Sequence, residues 1–273
     1  MLSDKICALF VCNKSYLDKF LDTCNQLIKN GKYKGDICLI IGNDLKEYHF
    51  SEDLFKNNKI EIKYFPDLDF GNYFNKVNLE IKEQFRRNVW SKKFQFHKFY
   101  IFHKFLKKWD YIFYLDCGMH IFHDITPILD ERQKNTLFAN RDGLDYETSV
   151  GGLQLSHQFI KKTLNVEHNK ILDDLNKNYD LNVLTFQTGL LLFDTNLIEN
   201  DTFEKIISLN IKYPISRTHE QGIIGIYFIN NWKQLKRKND NIYFYDCVKC
   251  VNEQYIMIKK PSNRYKHIGY KDL

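Results

Sequence analysis

The sequence predicts an α/β fold built around a mostly parallel β-sheet, and features of its first half support that prediction. Apolar runs of strand length occur at Ile6–Cys12 and at 36–42, and residues at helical spacing separate them. A further run, Tyr111–Leu115, stops abruptly at Asp116. Strand, helix and strand within about 40 residues favour a right-handed crossover between parallel strands. These runs are therefore expected to lie in one sheet with helices on its faces.

The first three strands follow one another along the chain. The first ends at Asn13, and the helix after it closes at Asn30 and Gly31. The second strand spans 36–42 and the third 60–65. The carboxyl ends of these strands are the expected place for a ligand, because open α/β sheets bind ligands at that edge.

Two segments lie between the third strand and the run that ends at Asp116. Residues 67–78 contain Gly and Asn and are predicted to be irregular, whereas 89–109 is predicted to form a largely buried helix. Lys98 lies on this apolar helix. Either it has a buried phosphate partner, or its stem snorkels and carries the ammonium group to water.

The second half of the chain continues the alternation of strands and helices. We predict, in order, a short segment at 127–129, a strand at 136–139, a loop at 140–143, an amphipathic helix within 159–181, a strand at 183–194, and helices over 197–211 and from 220.

Composition and charge narrow the class of protein. The 273 residues carry a net charge of +6 that is spread along the chain, which argues against a nucleic-acid binder. No stretch approaches the roughly 20 apolar residues of a membrane span. The seven cysteines are odd in number and dispersed, as expected of reduced thiols in the cytoplasm. We see no linker or repeat, so a single cytoplasmic domain is expected.

Several polar groups interrupt or follow the apolar runs, and their order along the chain is informative. Asp116 ends a strand, Gln187 interrupts the run at 183–194, and Glu220 with Gln221 opens a helix. A tail with the pattern His-x-Gly-x-Lys comes last. A buried polar side chain such as Gln187 needs a hydrogen-bonding partner, and a sugar hydroxyl is one such partner.

In this order the chain resembles the GT-A glycosyltransferases, which use nucleotide-sugar donors, and most of all the glycogenin and bacterial galactosyltransferase group. The likeness spans nearly the whole chain and rests on the segments Tyr114-Leu-Asp-Cys-Gly118, Phe186-Gln-Thr-Gly-Leu-Leu-Leu-Phe-Asp194, Glu220-Gln221 and His267-Ile-Gly-Tyr-Lys271. It implies a single GT-A (Rossmann-like) domain over 1–273. Residues 1–125 would form the nucleotide-binding half, and 126–273 the donor-sugar and acceptor half with its C-terminal tail.

The resemblance implies transfer of a hexose from a nucleotide diphosphate sugar, with UDP as the nucleotide, to a hydroxyl of a glycan, protein or small molecule. The alternative is an inactive relative that binds a nucleotide sugar or a glycan. A nucleotidyltransferase shares the sheet topology, but it would need a Gly-rich loop after the first strand. Residues 12–15 contain no glycine.

The resemblance also assigns roles to individual residues. Donor-binding positions are Lys98, Asp116, Asp142, Gly269 and Lys271, and the metal ligands for Mn²⁺ or Mg²⁺ are Asp116 and His267. The expected catalytic residues are Glu220, Gln221 and Gln187. If the reaction inverts, Glu220 would act as general base. If it retains, as in the resembling group, Glu220 or Gln221 would stabilise an oxocarbenium-like centre.

Gly118 departs from the family pattern, which has a second carboxylate in an Asp-x-Asp motif at this position. Either His120 or Asp124 replaces that ligand, or the metal binds weakly, or the enzyme works without it. Loss of the carboxylate is also what an inactive relative would show.

Overall fold

The computed structural model describes residues 4–84, 90–122, 124–142, 155–160, 165–235 and 257–259. Its strands are β1 (Ile6–Cys12), β2 (Asp36–Ile41), β3 (Glu61–Tyr64), β4 (Tyr111–Leu115), β5 (Met119–Ile121), β6 (Leu137–Arg141), β7 (Phe186–Asp194), β8 (Trp232–Gln234) and β9 (Met257–Lys259). Its α-helices are α1 (Leu17–Lys29), α2 (Asp53–Asn58), α3 (Gly71–Gln84), α4 (Thr126–Leu129), α5 (Val166–Asn178), α6 (Thr202–Lys212) and α7 (Glu220–Tyr227). Short 3₁₀ turns connect several of these elements.

Within the described part of the chain, seven strands form the central sheet in the order β3-β2-β1-β4-β7-β6-β8. Every neighbouring pair is parallel except the two that involve β7. The prediction of a mostly parallel sheet is therefore confirmed. Because β7 runs against its neighbours, its first residues lie at the same edge as the last residues of β4 and β6.

The central strands are buried on both faces, because alternate side chains enter two separate cores. Leu9 and Val11 of β1 belong to one core, and Phe10 between them belongs to the other. The first core lies under the segment Trp90–Phe102 and helices α6 and α7, and the second under α1. Burial on both faces explains why these strands are continuous apolar runs in the sequence.

The prediction that 67–78 is irregular is wrong, since α3 begins within that stretch at Gly71. Gly71 has φ +82°, a conformation that favours glycine, and no atom lies where a Cβ would stand. Phe74 and Val77 follow at helical spacing and are almost completely buried. Tertiary burial of these two apolar residues outweighs the local tendency of Gly and Asn to form turns.

The segment predicted as one helix over 89–109 consists of two 3₁₀ stretches, Trp90–Phe102 and Lys104–Lys108. In a 3₁₀ helix, residues three apart lie one above the other. The buried rings of Phe96, Phe99 and Phe102 have this spacing. A row of aromatic rings entering the core at every third residue therefore replaces the amphipathic face of an α-helix.

Strand β6 reaches further than predicted, because Asn140 and Arg141 lie within it and not in a loop. Its register with β7 breaks at that point. Ala139 pairs with Leu191, but the next residue, Asn140, pairs with Gln187. The short strand β8 has no apolar alternation of its own and was not predicted.

Among the described residues, no helix has both the length and the apolar character that a membrane crossing requires.

Candidate active site

The first centre of the site is a buried ammonium group between two carboxylates. Lys98 Nζ lies 2.7 Å from Asp116 Oδ1 and 3.1 Å from Glu220 Oε1. The Lys98 side chain is only 12% exposed. Lys98 therefore does not snorkel to solvent, and its buried anionic partners are carboxylates of the protein itself.

Asp116 directly follows β4, and its position is fixed by contacts with β7 and with β4 itself. Its backbone N–H donates to the carbonyl of Gly189 in β7 at 2.8 Å. Its Oδ1 accepts a hydrogen bond of 2.8 Å from the hydroxyl of Tyr114, two residues earlier on the same face of β4. Burial, and after it the charge of Asp116, raises the pKa of Tyr114 well above its ordinary value, so the hydroxyl keeps its proton and donates it.

Glu220 is the first residue of α7 and is 3% exposed. The hydroxyl of Thr188 lies 3.5 Å from its Oε1, whereas Oε2 is buried and has no hydrogen-bond partner within the described residues. The preceding residue, His219, has φ +57° and ψ −120°, a rare conformation for a residue with a side chain. Backbone strain of this kind occurs most often at functional sites.

The charges of this centre depend on one another. Burial alone would lower the pKa of Lys98, but the charges of Asp116 and Glu220 and their hydrogen bonds outweigh burial and raise that pKa above its ordinary value. Burial raises the pKa of Glu220, and the charge of Asp116 adds to this, while Lys98 opposes it. Lys98 therefore stays protonated, whereas burial makes the charge of Glu220 costly to maintain.

The second centre surrounds Asp142, which directly follows β6 and has a side chain that is 12% exposed. Four side-chain nitrogens contact its carboxylate. They are Nε2 of Gln187 at 3.0 Å on Oδ1, and Nε2 of Gln158 at 2.9 Å, of His157 at 3.1 Å and of Gln221 at 3.3 Å on Oδ2. Three carboxamides and an imidazole thus converge on one carboxylate.

The two centres are neighbours at one edge of the sheet. Glu220 belongs to the first and the adjacent Gln221 to the second. Thr188 contacts both, since its hydroxyl faces Glu220 and its backbone N–H donates to Gln221 Oε1 at 3.4 Å. The residues come from β7, from the ends of β4 and β6, from the start of α7, and from the 3₁₀ segments Trp90–Phe102 and Leu155–Gln158.

The structure therefore brings together six of the residues singled out from the sequence: Lys98, Asp116 and Glu220 at the first centre, and Asp142, Gln187 and Gln221 at the second. The remaining three, His267, Gly269 and Lys271, lie outside the described residues.

Four residues of the site were not predicted. Tyr114 could have been found, because side chains two apart on a strand share a face. Thr188 lies inside the predicted Gln-Thr-Gly interruption but had no role there. His157 and Gln158 lie in a short 3₁₀ turn, Leu155–Gln158, whose sequence has no motif.

The described residues do not complete a metal site by themselves. Across the ranges that the structure describes, no three His, Cys, Asp or Glu side chains form a group that could hold a metal ion. Gly118 has φ +93°, and the nearest atom to a Cβ built there would be Lys19 Cδ at 3.5 Å. There is space for a side chain at Gly118, but the backbone conformation disfavours one.

Asp124, one of the proposed replacements for the missing carboxylate, is used elsewhere. Its Oδ1 accepts hydrogen bonds from the backbone N–H of Thr126 at 2.9 Å and from the Thr126 hydroxyl at 2.6 Å. Lys32 Nζ lies 3.6 Å from its Oδ2. These contacts, with those of Thr126 the largest, lower the pKa of Asp124. His120, the other proposed replacement, lies on β5, next to the backbone of β9.

Comparison with known proteins identifies the family and a structural relative. The family model for glycosyl transferase family 8 matches residues 7–265, which is nearly the whole chain. No curated protein matches significantly. A similar solved structure is the apo-form glycosyltransferase GlyE of Streptococcus pneumoniae TIGR4, with a TM-score of 0.55 and 12% sequence identity.

The alignment with GlyE covers 95% of this chain but only 55% of the GlyE chain, so this protein spans about half the length of that relative. At this identity the likeness concerns the fold alone, and it confirms the predicted GT-A architecture. The match of the family model over nearly all of its length shows that the chain belongs to glycosyl transferase family 8.

Proposed function

We propose that this glycosyltransferase transfers a hexose from a UDP-sugar to a hydroxyl acceptor, with retention of configuration, as a single cytoplasmic domain over 1–273. The observation that carries the proposal is the buried contact of Lys98 with Asp116 and Glu220, directly beside the amide cluster of Asp142. Free thiols at all five described cysteines, Cys7, Cys12, Cys24, Cys38 and Cys117, support a reducing compartment.

The two centres suit the two ends of a nucleotide sugar. The diphosphate would lie at Asp116 and Lys98, where the tail could add Gly269 and Lys271. The hexose would lie at the Asp142 centre, because carboxamides offer both donors and acceptors for hydroxyl groups. Gln221 belongs to the sugar end and adjoins Glu220 at the phosphate end, so the pair would lie near the anomeric carbon.

The charge of the site favours a cation as an additional partner. Lys98 contributes +1, and Asp116, Glu220 and Asp142 contribute −1 each when ionised, which gives −2. A diphosphate needs positive charge in such a place. Members of this family typically depend on a divalent metal. We assign Asp116 and His267 as ligands of Mn²⁺ or Mg²⁺, both of which accept carboxylate ligands. A bound cation would supply positive charge to the departing diphosphate.

The burial of Glu220 favours retention over inversion. A general base must come within hydrogen-bonding distance of the acceptor hydroxyl. Glu220 is 3% exposed, and its Oε1 already contacts Lys98 and Thr188. It is better placed to stabilise positive charge near the anomeric carbon than to take a proton from an incoming acceptor.

A second function class is a nucleotide-sugar-binding relative without catalysis, and Gly118 in place of the second carboxylate favours it. The two functions predict the same binding but different turnover.

The test is thermal unfolding with a panel of nucleotide sugars, with and without Mn²⁺, followed by measurement of donor hydrolysis. A UDP-hexose at 100 times its dissociation constant should stabilise the protein by about 2.7 kcal/mol. Asp116→Asn should abolish the release of UDP. Asp174→Asn, which removes a surface carboxylate remote from both centres, should not. Stabilisation without release of UDP would support the binding protein, and the absence of both would refute the proposed function.

The metal ligands have a test that does not depend on turnover. Electron paramagnetic resonance of added Mn²⁺ should show binding to the wild-type protein and weaker binding to Asp116→Asn and to His267→Ala. Equal Mn²⁺ affinity in all three proteins would contradict the assignment.

A further inference from the structure

Four side-chain nitrogens contact the carboxylate of Asp142, and this bears on how it acts. An ionised carboxylate is only an acceptor, with about four lone-pair positions on its two oxygens. Three of the nitrogens, those of His157, Gln158 and Gln221, contact Oδ2, and that of Gln187 contacts Oδ1. The backbone N–H of Asp142 is also used, since it donates to the carbonyl of Thr185 at 2.9 Å.

The contacts with Asp142 also fix the orientation of each carboxamide. Because the carboxylate cannot donate, each amide must turn its NH₂ group toward it and its carbonyl oxygen away. The oxygen of Gln221 accepts from the N–H of Thr188 at 3.4 Å. The oxygens of Gln158 and Gln187 accept no hydrogen bond within the described residues, but that of Gln158 is buried. Gln187 is partly exposed, so its carbonyl oxygen is the one that a ligand can reach.

We propose that Asp142 is a positioning residue that acts on the donor sugar through Gln187, whose carbonyl oxygen it turns toward the ligand. The inference rests on the proposed function and assigns the contact with the sugar to Gln187. The group presented to the sugar is then an acceptor, which suits a hydroxyl group or an electron-poor anomeric centre.

The uneven distribution of donors on Asp142 makes the proposal testable. Three nitrogens contact Oδ2, and only Gln187 contacts Oδ1. In Asp142→Asn the new amide can keep its oxygen at the Oδ2 position, where the three nitrogens remain satisfied. Its NH₂ group then faces the NH₂ group of Gln187, which must rotate and present its own NH₂ to the ligand.

The experiment is a double-mutant cycle with an exchange of the two side chains. Asp142→Asn should lower kcat/KM for the UDP-hexose by roughly 10- to 100-fold, the size expected for a hydrogen bond to a charged group. The combination of Asp142→Asn with Gln187→Glu should recover most of that loss. The NH₂ group of the asparagine then meets a carboxylate, and the second carboxylate oxygen is presented as an acceptor.

A second combination tests whether Asp142 acts through Gln187. Asp142→Asn should have little further effect in a Gln187→Ala background, because residues that act through one another are not additive. If Asp142 contacts the sugar itself, its effect will add to that of Gln187→Ala, and the exchange will not restore activity. Either result would overturn the proposal.

Two measurements separate this proposal from the proposed function and from misfolding. The side-chain amide NMR signals of Gln187 should shift in Asp142→Asn, whereas those of Gln158 should stay close to the wild-type positions. This readout needs no substrate, and unchanged Gln187 signals would refute the proposal. If Asp142→Asn does not fold, the side-chain amide signals can be compared between the wild-type protein and Gln187→Glu. Gln187→Glu should lose only the Gln187 signals if the other three donors to Asp142, which are His157, Gln158 and Gln221, stay in place. Lack of turnover in the wild-type protein would count against the proposed function alone.

Discussion

The Lys98 ammonium faces two carboxylates in a part of the protein that water hardly reaches. One positive charge contacts both carboxylates, whose other contacts described above are with the uncharged hydroxyls of Tyr114 and Thr188. Removing one member of a buried ionic group is far more harmful than replacing the whole group, because the remaining charges stay buried and uncompensated.

Replacing Lys98 with methionine tests how much stability is lost when the two buried carboxylates are left without their positive charge. Lys98→Met should lower the free energy of unfolding by about 3–5 kcal/mol, since it leaves Asp116 and Glu220 facing each other. Urea denaturation measures the change. The matched control is Lys205→Met, which also removes a lysine that contacts two carboxylates, Glu199 and Asp201, but on the surface. Equal losses in the two variants would contradict the proposed importance of burial.

His97, the residue before Lys98, is buried and neutral. Burial lowers its pKa from 6.5 to about 4, although a hydrogen bond with the carbonyl of Ile41 opposes the shift. Between these two values the unfolded chain binds more protons than the folded protein. The contribution of neutral His97 to stability is therefore fully present above about pH 6.5, and it is lost as the pH falls toward 4.

The contribution of His97 can be measured with a substitution. A shift from 6.5 to about 4 corresponds to roughly 3 kcal/mol of stability. His97→Gln should flatten the pH dependence of the free energy of unfolding between pH 4 and 6.5. His49→Gln, at an exposed position, should leave the wild-type slope unchanged. If both variants keep that slope, His97 is not the titrating group.

At the scale of elements, α7 carries Glu220 and Gln221 into the site, and its glycines let it approach its neighbours closely. A Cβ at Gly225 would lie 2.7 Å from Thr185 Oγ1 and 3.2 Å from Leu155 Cδ1. A Cβ at Gly222 would lie 2.6 Å from Ser216 Oγ. Real Cβ atoms essentially never come within 3.0 Å of another atom, so with any other residue at either position α7 or the facing hydroxyl must shift.

Gly225→Ala should therefore destabilise the protein, although the same change usually stabilises a helix interior by about 1 kcal/mol. We expect a loss of about 1–3 kcal/mol from overpacking and a fall in donor turnover as α7 moves. Thermal and urea unfolding measure the first effect. Adding Thr185→Ala removes an oxygen that has no partner among the described residues, and should restore part of the stability. If Gly225→Ala is more stable than the wild-type protein, there is space for a Cβ at this position of α7.

The elements that could be predicted from the sequence are those buried on both sides. Strands β1, β2 and β4 were found almost to the residue because their apolar runs are continuous. Helix α3 was missed because its glycine and asparagines have turn propensity, and only burial of Phe74 and Val77 overrides it. Predicting the 3₁₀ segment required knowing that Phe96, Phe99 and Phe102 are all buried, which depends on the core around them.

The site was predicted where a motif spans it and missed where contacts come from distant turns. Asp116, Glu220 and Lys98 are separated along the chain but match a family pattern, and they meet in the structure. His157 reaches Asp142 from a turn that only the fold brings near. No short sequence pattern around His157 indicates this contact.

At the scale of the whole molecule, the two edges of the sheet carry different groups of polar residues. The edge at the ends of β4 and β6 carries both centres. At the opposite edge, hydrogen bonds of Trp109 hold neighbouring elements together. Trp109 Nε1 donates to Asp36 Oδ2 at 2.6 Å, and the Trp109 carbonyl accepts from the hydroxyl of Thr195 at 2.6 Å.

Trp109→Phe should therefore separate stability from function. Loss of the hydrogen bond to Asp36 should lower the free energy of unfolding by about 1–2 kcal/mol, while the affinity for the UDP-sugar stays at the wild-type value. Urea denaturation and titration calorimetry measure the two quantities. The comparison is Gly225→Ala, which is expected to lower both stability and donor turnover. A parallel loss of affinity in Trp109→Phe would show that the two edges are coupled.

The register break between β6 and β7 has a consequence for how this site can vary. Three residues of β7, 188–190, have no partner in β6, so one step along β6 spans four along β7. That short stretch is a spacer whose length brings Gln187 opposite Asn140 and within reach of Asp142. Because side chains alternate along a strand, adding or removing one residue there would turn Gln187 to the opposite face. The geometry of the sugar end thus depends on the number of residues in this spacer.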